Sequence, residues 1–373
     1  MRGDILIDVS AAVNQGAGIG RYARELTRAL IPLLSAADTR LWFALDSHPA
    51  DPQLPDRDPW QSLTATRSLL SRRNVDRFFF RGQLPAGPLL RSGSPAVSYS
   101  PDFTVPPGKS EHITVHDLAW LHPEAETPPP LASYLEPVVE RAIQRATTVF
   151  TVSNTTRAEI LERFALPEDR VVVAPNAPAA RFFEPEALPP EHLATLGVQE
   201  PFLLFVGTIE PRKNLSTLLA ALQRLPNEIS LVVVGRHGWK ADQQLEPISR
   251  PGLADRVVEL GYIDDSTVTG LFAAAAALVY PSRYEGFGLP IVEALATGTP
   301  VAASDLAVFH EVGEDEVEYF QPTDPADMAR AIEALLASNR QGRDARQRRI
   351  ARARIFEWRV SAGVVAKRLL AES

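Results

Sequence analysis

The stretch that most constrains this chain is Ala277-Leu278-Val279-Tyr280 followed by PSRYEGFGLPIVEALATGTP, Pro281 to Pro300. The four apolar residues predict a buried strand. Pro290 suits a first helical turn, where its missing N–H costs nothing. Ile291, Val292, Ala294, Leu295 and Ala296 then carry the helix inward, and Gly298 ends it. The order is therefore strand, glycine loop, helix. Gly286 and Gly288 let a ligand approach the backbone, and the free N–H groups of a helix start favour phosphate. Glu285 in the loop and Glu293 in the expected first turn cannot grip phosphate. They can accept hydrogen bonds from the hydroxyls of a sugar or a ribose. The combination describes a site for a sugar joined to a nucleoside diphosphate. Taken singly, Glu285 reads equally as a solvated loop residue, and Glu293 as a complement to the helix dipole.

A second strand–glycine–helix passage opens the chain. Asp4 to Val9 predicts a strand, and Gly16, Gly18 and Gly20 lead into Ile19, Tyr22, Leu26 and Leu30 at helical spacing. The glycine spacing departs from the dinucleotide fingerprint, which argues against a nicotinamide enzyme. Further strands are expected at 40–45, 113–115, 149–152, 171–173, 202–206, 231–234, 257–260 and 300–303, with Ser153-Asn154 and Ser304-Asp305 as helix caps. Alternation of strands with helical patterns predicts an α/β, doubly wound architecture. The length, 373 residues, exceeds one typical core and predicts two domains. The expected boundaries are 1–183, a proline- and charge-rich linker at 184–200, 201–355, and a final helix from 356 to 373.

Composition excludes several classes. There is no cysteine, so neither a disulfide framework nor a thiolate metal site can form. The net charge of −8 argues against general nucleic-acid binding. MRGDILIDVS runs straight into a strand and lacks the form of a signal peptide, and no apolar run reaches membrane-spanning length. A cytoplasmic location is expected, with the inner membrane face as its variant. That variant rests on 62–91, where Arg67, Arg72, Arg73, Arg77, Arg81 and Arg91 alternate with Leu69, Leu70, Phe78, Phe79 and Phe80. Such a surface fits anionic lipid, an anionic acceptor, or an ordinary helix with a solvated arginine face. The basic segment 340–354 reads as a solvated helix face, and the acidic run Glu314–Glu318 as a solvated loop. Asp56-Arg57-Asp58 matches a metal-binding Asp-x-Asp string, but it sits among prolines, and no metal is expected.

Two more segments carry charge next to strand ends. Glu210-Pro211-Arg212-Lys213-Asn214 follows the strand Phe202–Val206 and its terminal Gly207, and two cations beside a helix start form an anion site. His116 follows Ile113-Thr114-Val115, at the carboxyl end of a strand, where ligands of open α/β sheets bind.

Taken together, PSRYEGFGLPIVEALATGTP, ITVHDLAWLHPE and GTIEPRKNL resemble the GT4 family of retaining glycosyltransferases. The Glu285–Glu293 spacing matches that family's glutamate signature. The resemblance implies the GT-B fold: two Rossmann-like doubly wound domains facing a cleft, with the last helix crossing back onto the first. It implies a hexosyltransferase acting on a nucleotide sugar and a glycan or lipid-linked acceptor, without nucleic acid and without metal. His116 would contact the donor sugar, and Gly18 and Gly20 would lie near the phosphates. Arg212, Lys213 and the amides of Gly286, Phe287, Gly288 and Leu289 would hold the diphosphate. Glu285 would hold the transferred sugar, Glu293 the ribose, and the backbone of Gly261, Tyr262 and Ile263 the base, with Gly235 also at the donor site. Thr208 stands where many members have arginine, and Arg212 is the residue that would take over. VHDLAWLHPE and GTIEPRKN resemble the mannosyltransferase-like branch, which makes GDP-mannose the first donor choice and a UDP-sugar the second. The alternatives are a GT-B synthase or phosphorylase making a free disaccharide, and an inactive sugar-nucleotide-binding subunit.

Overall fold

The structure is a computed structural model, and it describes residues 4–16, 18–36, 38–44, 63–68, 72–75, 77, 95–337 and 342–373. Two sheets organise it. The first contains β1 (Ile5–Asp8), β2 (Thr39–Phe43), β3 (Thr64–Arg67), β4 (Val97–Ser100), β5 (Ser110–Val115), β6 (Thr148–Thr151) and β7 (Val171–Val173). The second contains β8 (Phe202–Val206), β9 (Ser230–Val234), β10 (Val257–Gly261), β11 (Ala277–Tyr280), β12 (Val301–Ser304) and β13 (Val317–Phe320). The orders are β3-β2-β1-β4-β5-β6-β7 and β10-β9-β8-β11-β12-β13. Every described pairing is parallel. Parallel strands are covered on both faces, which explains continuous apolar runs such as Phe202–Phe205 and Ala277–Tyr280, all buried. In the second sheet Leu203, Phe205, Leu231 and Val233 pack with Leu218 and Ile332 in one core.

The chain divides into two compact units: 1–118 with 129–176 and 357–373, and 119–128 with 177–356. In the first, the helix Trp358–Ala371 packs on the helix Ile19–Leu30. The Trp358 and Tyr22 rings stand 5.6 Å apart, and the Ser361 hydroxyl donates to the Pro175 carbonyl at 2.7 Å. The second unit includes the short helix Pro190–Thr195, within the proline-rich stretch 184–200, and the excursion Ala119–Pro128.

Several expectations need correction. The acidic run is a solvated loop only in part: Glu314–Glu316 form a 3-10 turn with Glu314 and Asp315 exposed, but Val317 to Phe320 form β13, the edge strand beside β12. Burial of Val317 and Phe320 outweighs the neighbouring charge. β3 and β4 are strands that went unread, hidden among arginines and prolines. Ser304-Asp305 does not cap the helix Ala307–Gly313, whose N-cap is Leu306 without a side-chain bond. Asp305 is instead bonded to His310 and Gln321. Ser153 does cap its helix, accepting from the Thr156 amide at 3.0 Å.

The basic segment is also not simply a solvated face. In the helix Arg343–Ala353, Arg346 donates to the Thr297 carbonyl at 3.1 Å and Arg349 to the Gly298 carbonyl at 2.8 Å. Arg352 donates to the Val312 carbonyl at 2.9 Å, and Arg349 is only 2% exposed. These carbonyls are helix C-terminal groups with no partner inside their own helices. Of the arginine–aromatic stretch, Leu69, Leu70, Phe78, Phe79, Phe80, Arg81 and Arg91 lie outside the described residues, as do Asp56, Arg57 and Asp58. No helix among the described residues is long and apolar enough to cross a membrane.

Candidate active site

In each sheet the strand order reverses beside the strand that comes first in sequence: β8 lies between β9 and β11, and β1 between β2 and β4. Ligands of doubly wound sheets bind outside the carboxyl ends of strands at such a reversal. In the second unit that place is framed by the segment after β8, Gly207 to Asn214, and by the segment after β11, Pro281 to Gly288. The two segments are tied directly, since the Arg283 amide donates to the Arg212 carbonyl at 2.8 Å.

Asn214 fixes the first segment. It takes a left-handed conformation, φ 59°, which asparagine tolerates better than most residues. Its amide donates to the Pro281 and Pro322 carbonyls at 3.0 and 2.7 Å. Its carbonyl oxygen accepts from Thr217 and from Arg283 Nε. Gly288 fixes the second. It stands at φ 102° as N-cap of the helix Leu289–Thr297, where a side chain would be strained and would also press on Phe309.

Between these segments lies a dense charged cluster. Lys213 is 9% exposed. Its ammonium is paired with Glu285 and donates to the Tyr280 hydroxyl at 2.9 Å. That hydroxyl in turn donates to Glu285 Oε1 at 2.9 Å. Arg212 donates to Glu285 Oε2 at 2.8 Å, to Glu210 at 2.9 Å and to the Tyr284 carbonyl at 3.3 Å. Burial pushes the Glu285 carboxyl up, but Arg212 and then Lys213 outweigh it and hold it at about 2. Burial, with Arg212 adding to it, pushes the Lys213 ammonium down, and Glu285 opposes. The carboxylate faces two cations, whereas the ammonium faces a carboxylate and a like charge. The charged carboxylate is therefore the firmer partner. Burial, and after it the Glu285 charge, pushes the Tyr280 hydroxyl well above its usual range, so it stays a neutral donor.

The structure thus brings together Arg212, Lys213 and Glu285. Gly286, Phe287, Gly288 and Leu289 follow Glu285 directly, and all but Leu289 are buried. Glu293 is buried too, but as the fifth residue of the Leu289–Thr297 helix it lies beyond the first turn where it was expected. Gly235 ends β9 so close to the Gly207 carbonyl that a Cβ would come within 1.8 Å of it. Thr208 follows Gly207, with its methyl against Gly238. Tyr262 and Ile263 follow β10; the Tyr262 ring is exposed, with Arg236 over it at 4.3 Å. In the first unit, Gly18 and Gly20 open the helix Ile19–Leu30, and a Cβ on Gly20 would strike the Gln15 carbonyl. His116 follows β5, edge-on to Tyr22, with Nε2 3.0 Å from the Pro101 carbonyl. A carbonyl only accepts, so Nε2 carries a proton. No group of acidic or histidine side chains among the described residues is arranged to hold a metal.

Tyr280 went unread because it closes an apolar run and looks like core. A signal did exist: it is the last residue of the strand whose carboxyl end was expected to bind ligand.

Comparison with known proteins places this arrangement. Residues 194–355 match the family model of glycosyl transferases group 1. O-antigen chain mannosyltransferase B of Escherichia coli is 29% identical over 353 residues, covering 91% of this chain and 92% of that protein. The sucrose-phosphate synthase structure of Thermosynechococcus elongatus superposes with a TM-score of 0.77 at 21% identity, over 100% of both chains. Anabaena HepE, solved with UDP and glucose, gives 0.74 at 17% identity, over 98% of this chain and 99% of that one. With two parallel α/β sheets of the GT-B fold, the chain is a glycosyltransferase enzyme, and its residues 194–355 are those that match the group 1 glycosyl transferases.

Proposed function

We propose that this enzyme transfers mannose from GDP-mannose to a hydroxyl of a growing cell-surface glycan, with retention at the anomeric carbon and without metal. The observation that carries the reading is the Lys213–Arg212–Glu285–Tyr280 cluster at the strand reversal. It offers two cations to a diphosphate at a place where the ammonium is almost out of water. A charge pair at about 4 Å and an effective dielectric of about 20 is worth roughly 4 kcal/mol before desolvation, against under about 1 kcal/mol on an open surface. The O-antigen relative supports mannose and a polysaccharide acceptor; the UDP complex of HepE keeps a UDP-sugar as the second donor.

In this reading Lys213 and Arg212 neutralise the diphosphate as it departs, helped by the amides of Phe287, Gly288 and Leu289. Such bonds, about 1.5–3 kcal/mol each, strengthen as charge builds on the leaving oxygen. Glu285 keeps the two cations aligned and is offered to the transferred sugar. Glu293 is assigned to the ribose, the backbone of Gly261, Tyr262 and Ile263 to the base, and Gly235 to the donor site beside them. His116 is assigned to the sugar: with Nε2 on the Pro101 carbonyl, Nδ1 is left for a hydroxyl. The bond from the anomeric carbon to the phosphate oxygen breaks, the bond to the acceptor oxygen forms on the same face, and the acceptor proton passes to the departing phosphate.

A thermal-shift screen against GDP-, UDP- and ADP-sugars tests the donor, and GDP-mannose is expected to give the largest rise in Tm. Transfer to mannose-terminated and lipid-linked acceptors, with the product linkage read by NMR, tests the reaction. Release of free disaccharide or a β-linked product would overturn it.

A further inference from the structure

The excursion Ala119–Pro128 leaves the first unit just after His116 and belongs to the second. It is a compact strap of two 3-10 turns, Ala119–Leu121 and Pro123–Ala125, closed by the Thr127 hydroxyl on the Ala119 carbonyl at 3.2 Å. Ala125 anchors it by burial, and Glu126 follows in a left-handed conformation, φ 46°. The Glu126 carboxylate reaches Arg283 at 3.3 Å and Lys240 at 3.1 Å. The His122 ring stacks on Tyr284 at 4.2 Å, inclined by 23°. Arg283 and Tyr284 immediately precede Glu285. Arg283 is also bound to Asn214, and its amide to the Arg212 carbonyl. The Tyr284 carbonyl accepts from Arg212.

We propose that Ala119–Pro128 is a positioning strap, in which Glu126 and His122 hold Arg283 and Tyr284 and thereby set where the Glu285 carboxylate stands against Arg212 and Lys213. The proposal rests on the transferase reading and deepens it. The contacts suit adjustment rather than bulk stability. The Glu126, Arg283 and Lys240 side chains are each about a third exposed, at 36%, 31% and 35%, and surface pairs of this kind contribute little to folding. Their effect falls on the loop they touch.

The test is hydrogen exchange on the ligand-free protein, comparing wild type with Glu126→Gln and, from the other side of the pair, Lys240→Gln. Amides from Ser282 to Gly288 are expected to exchange about ten times faster in Glu126→Gln and several times faster in Lys240→Gln, with the rest of the second sheet unchanged. Turnover of GDP-mannose is expected to fall about fivefold in kcat with the acceptor KM within twofold, and Glu126→Asp is expected to recover part of that loss. Unchanged exchange at 282–288 in both variants would overturn the strap. So would a fall in Tm with no change confined to that loop. If the wild type does not turn over GDP-mannose, the donor assignment fails, and the exchange result still decides the strap.

Discussion

The second unit holds two sets of basic side chains, and they do opposite things. Arg212 and Lys213 sit at strand carboxyl ends, beside glycine loops, and are met by carboxylates. Arg346, Arg349 and Arg352 sit on one helix and donate to backbone carbonyls at the ends of the helices Leu289–Thr297 and Ala307–Gly313, Arg352 pairing also with the exposed Glu314 carboxylate at 2.7 Å. A carbonyl at a helix C-terminus has no other partner, so an arginine bound there is part of the scaffold. A carboxylate partner can be exchanged for a phosphate oxygen, so a cation bound there remains available to a ligand. On the proposed reading, a helix-end carbonyl as acceptor, rather than the density of positive charge, marks a cation as structural. One helix joins the two sets: Leu289–Thr297 faces the site with its N-terminus and receives the arginines at its C-terminus.

The largest expected effect breaks this comparison at the site. Lys213→Ala should lower kcat by about 10²–10³-fold, the usual cost of removing a donor to developing charge. Arg212 remains to compensate Glu285, so Tm should change little. Steady-state kinetics beside thermal melts check the pair of outcomes. Normal turnover would remove Lys213 from the diphosphate.

Arg349→Met should do the reverse. It keeps the apolar stem but withdraws a buried guanidinium from the Gly298 carbonyl. Hydrogen bonds to charged groups contribute about 1.5–3 kcal/mol, and urea unfolding should show a loss of that order. Below its melting temperature the variant should keep kcat within about threefold. A large loss of activity with unchanged stability would mean that the two sets are not separable in this way.

The same contrast explains what was legible in the sequence. That Lys213, Arg212 and Glu285 come together could be read because strand ends, glycines and a helix start all point to them locally. β8, β9, β11 and β12 could be read because strands buried on both faces are written as unbroken apolar runs. β13 could not, since an edge strand needs only part of its side chains buried and Glu318 breaks the run. The arginine helix was misread for a related reason. Arg346, Arg349 and Arg352 recur at a spacing of three, which marks one face, but nothing local says whether water or a helix end covers it. Glu126 and His122 had no signal at all. Their partners lie far along the chain, and only the fold brings Arg283, Tyr284 and Lys240 to them.

The smallest expected effect sharpens the comparison through pH. The Glu285 carboxyl is held at about 2, below the ordinary 4.5, because Arg212 and Lys213 outweigh its burial. A carboxyl depressed on folding contributes stability that is complete above its ordinary pKa and is lost as pH falls toward the folded value. The stability difference between wild type and Glu285→Gln should therefore shift against the wild type on acidification, by about 0.7 kcal/mol between pH 5 and pH 4. Other carboxyls titrate in the same range, but they do so in both proteins and cancel in the difference. Urea unfolding at each pH reads it directly. A flat difference for Glu285→Gln would mean that the two cations do not hold this carboxylate, and the distinction between exchangeable and structural cations would lose its basis.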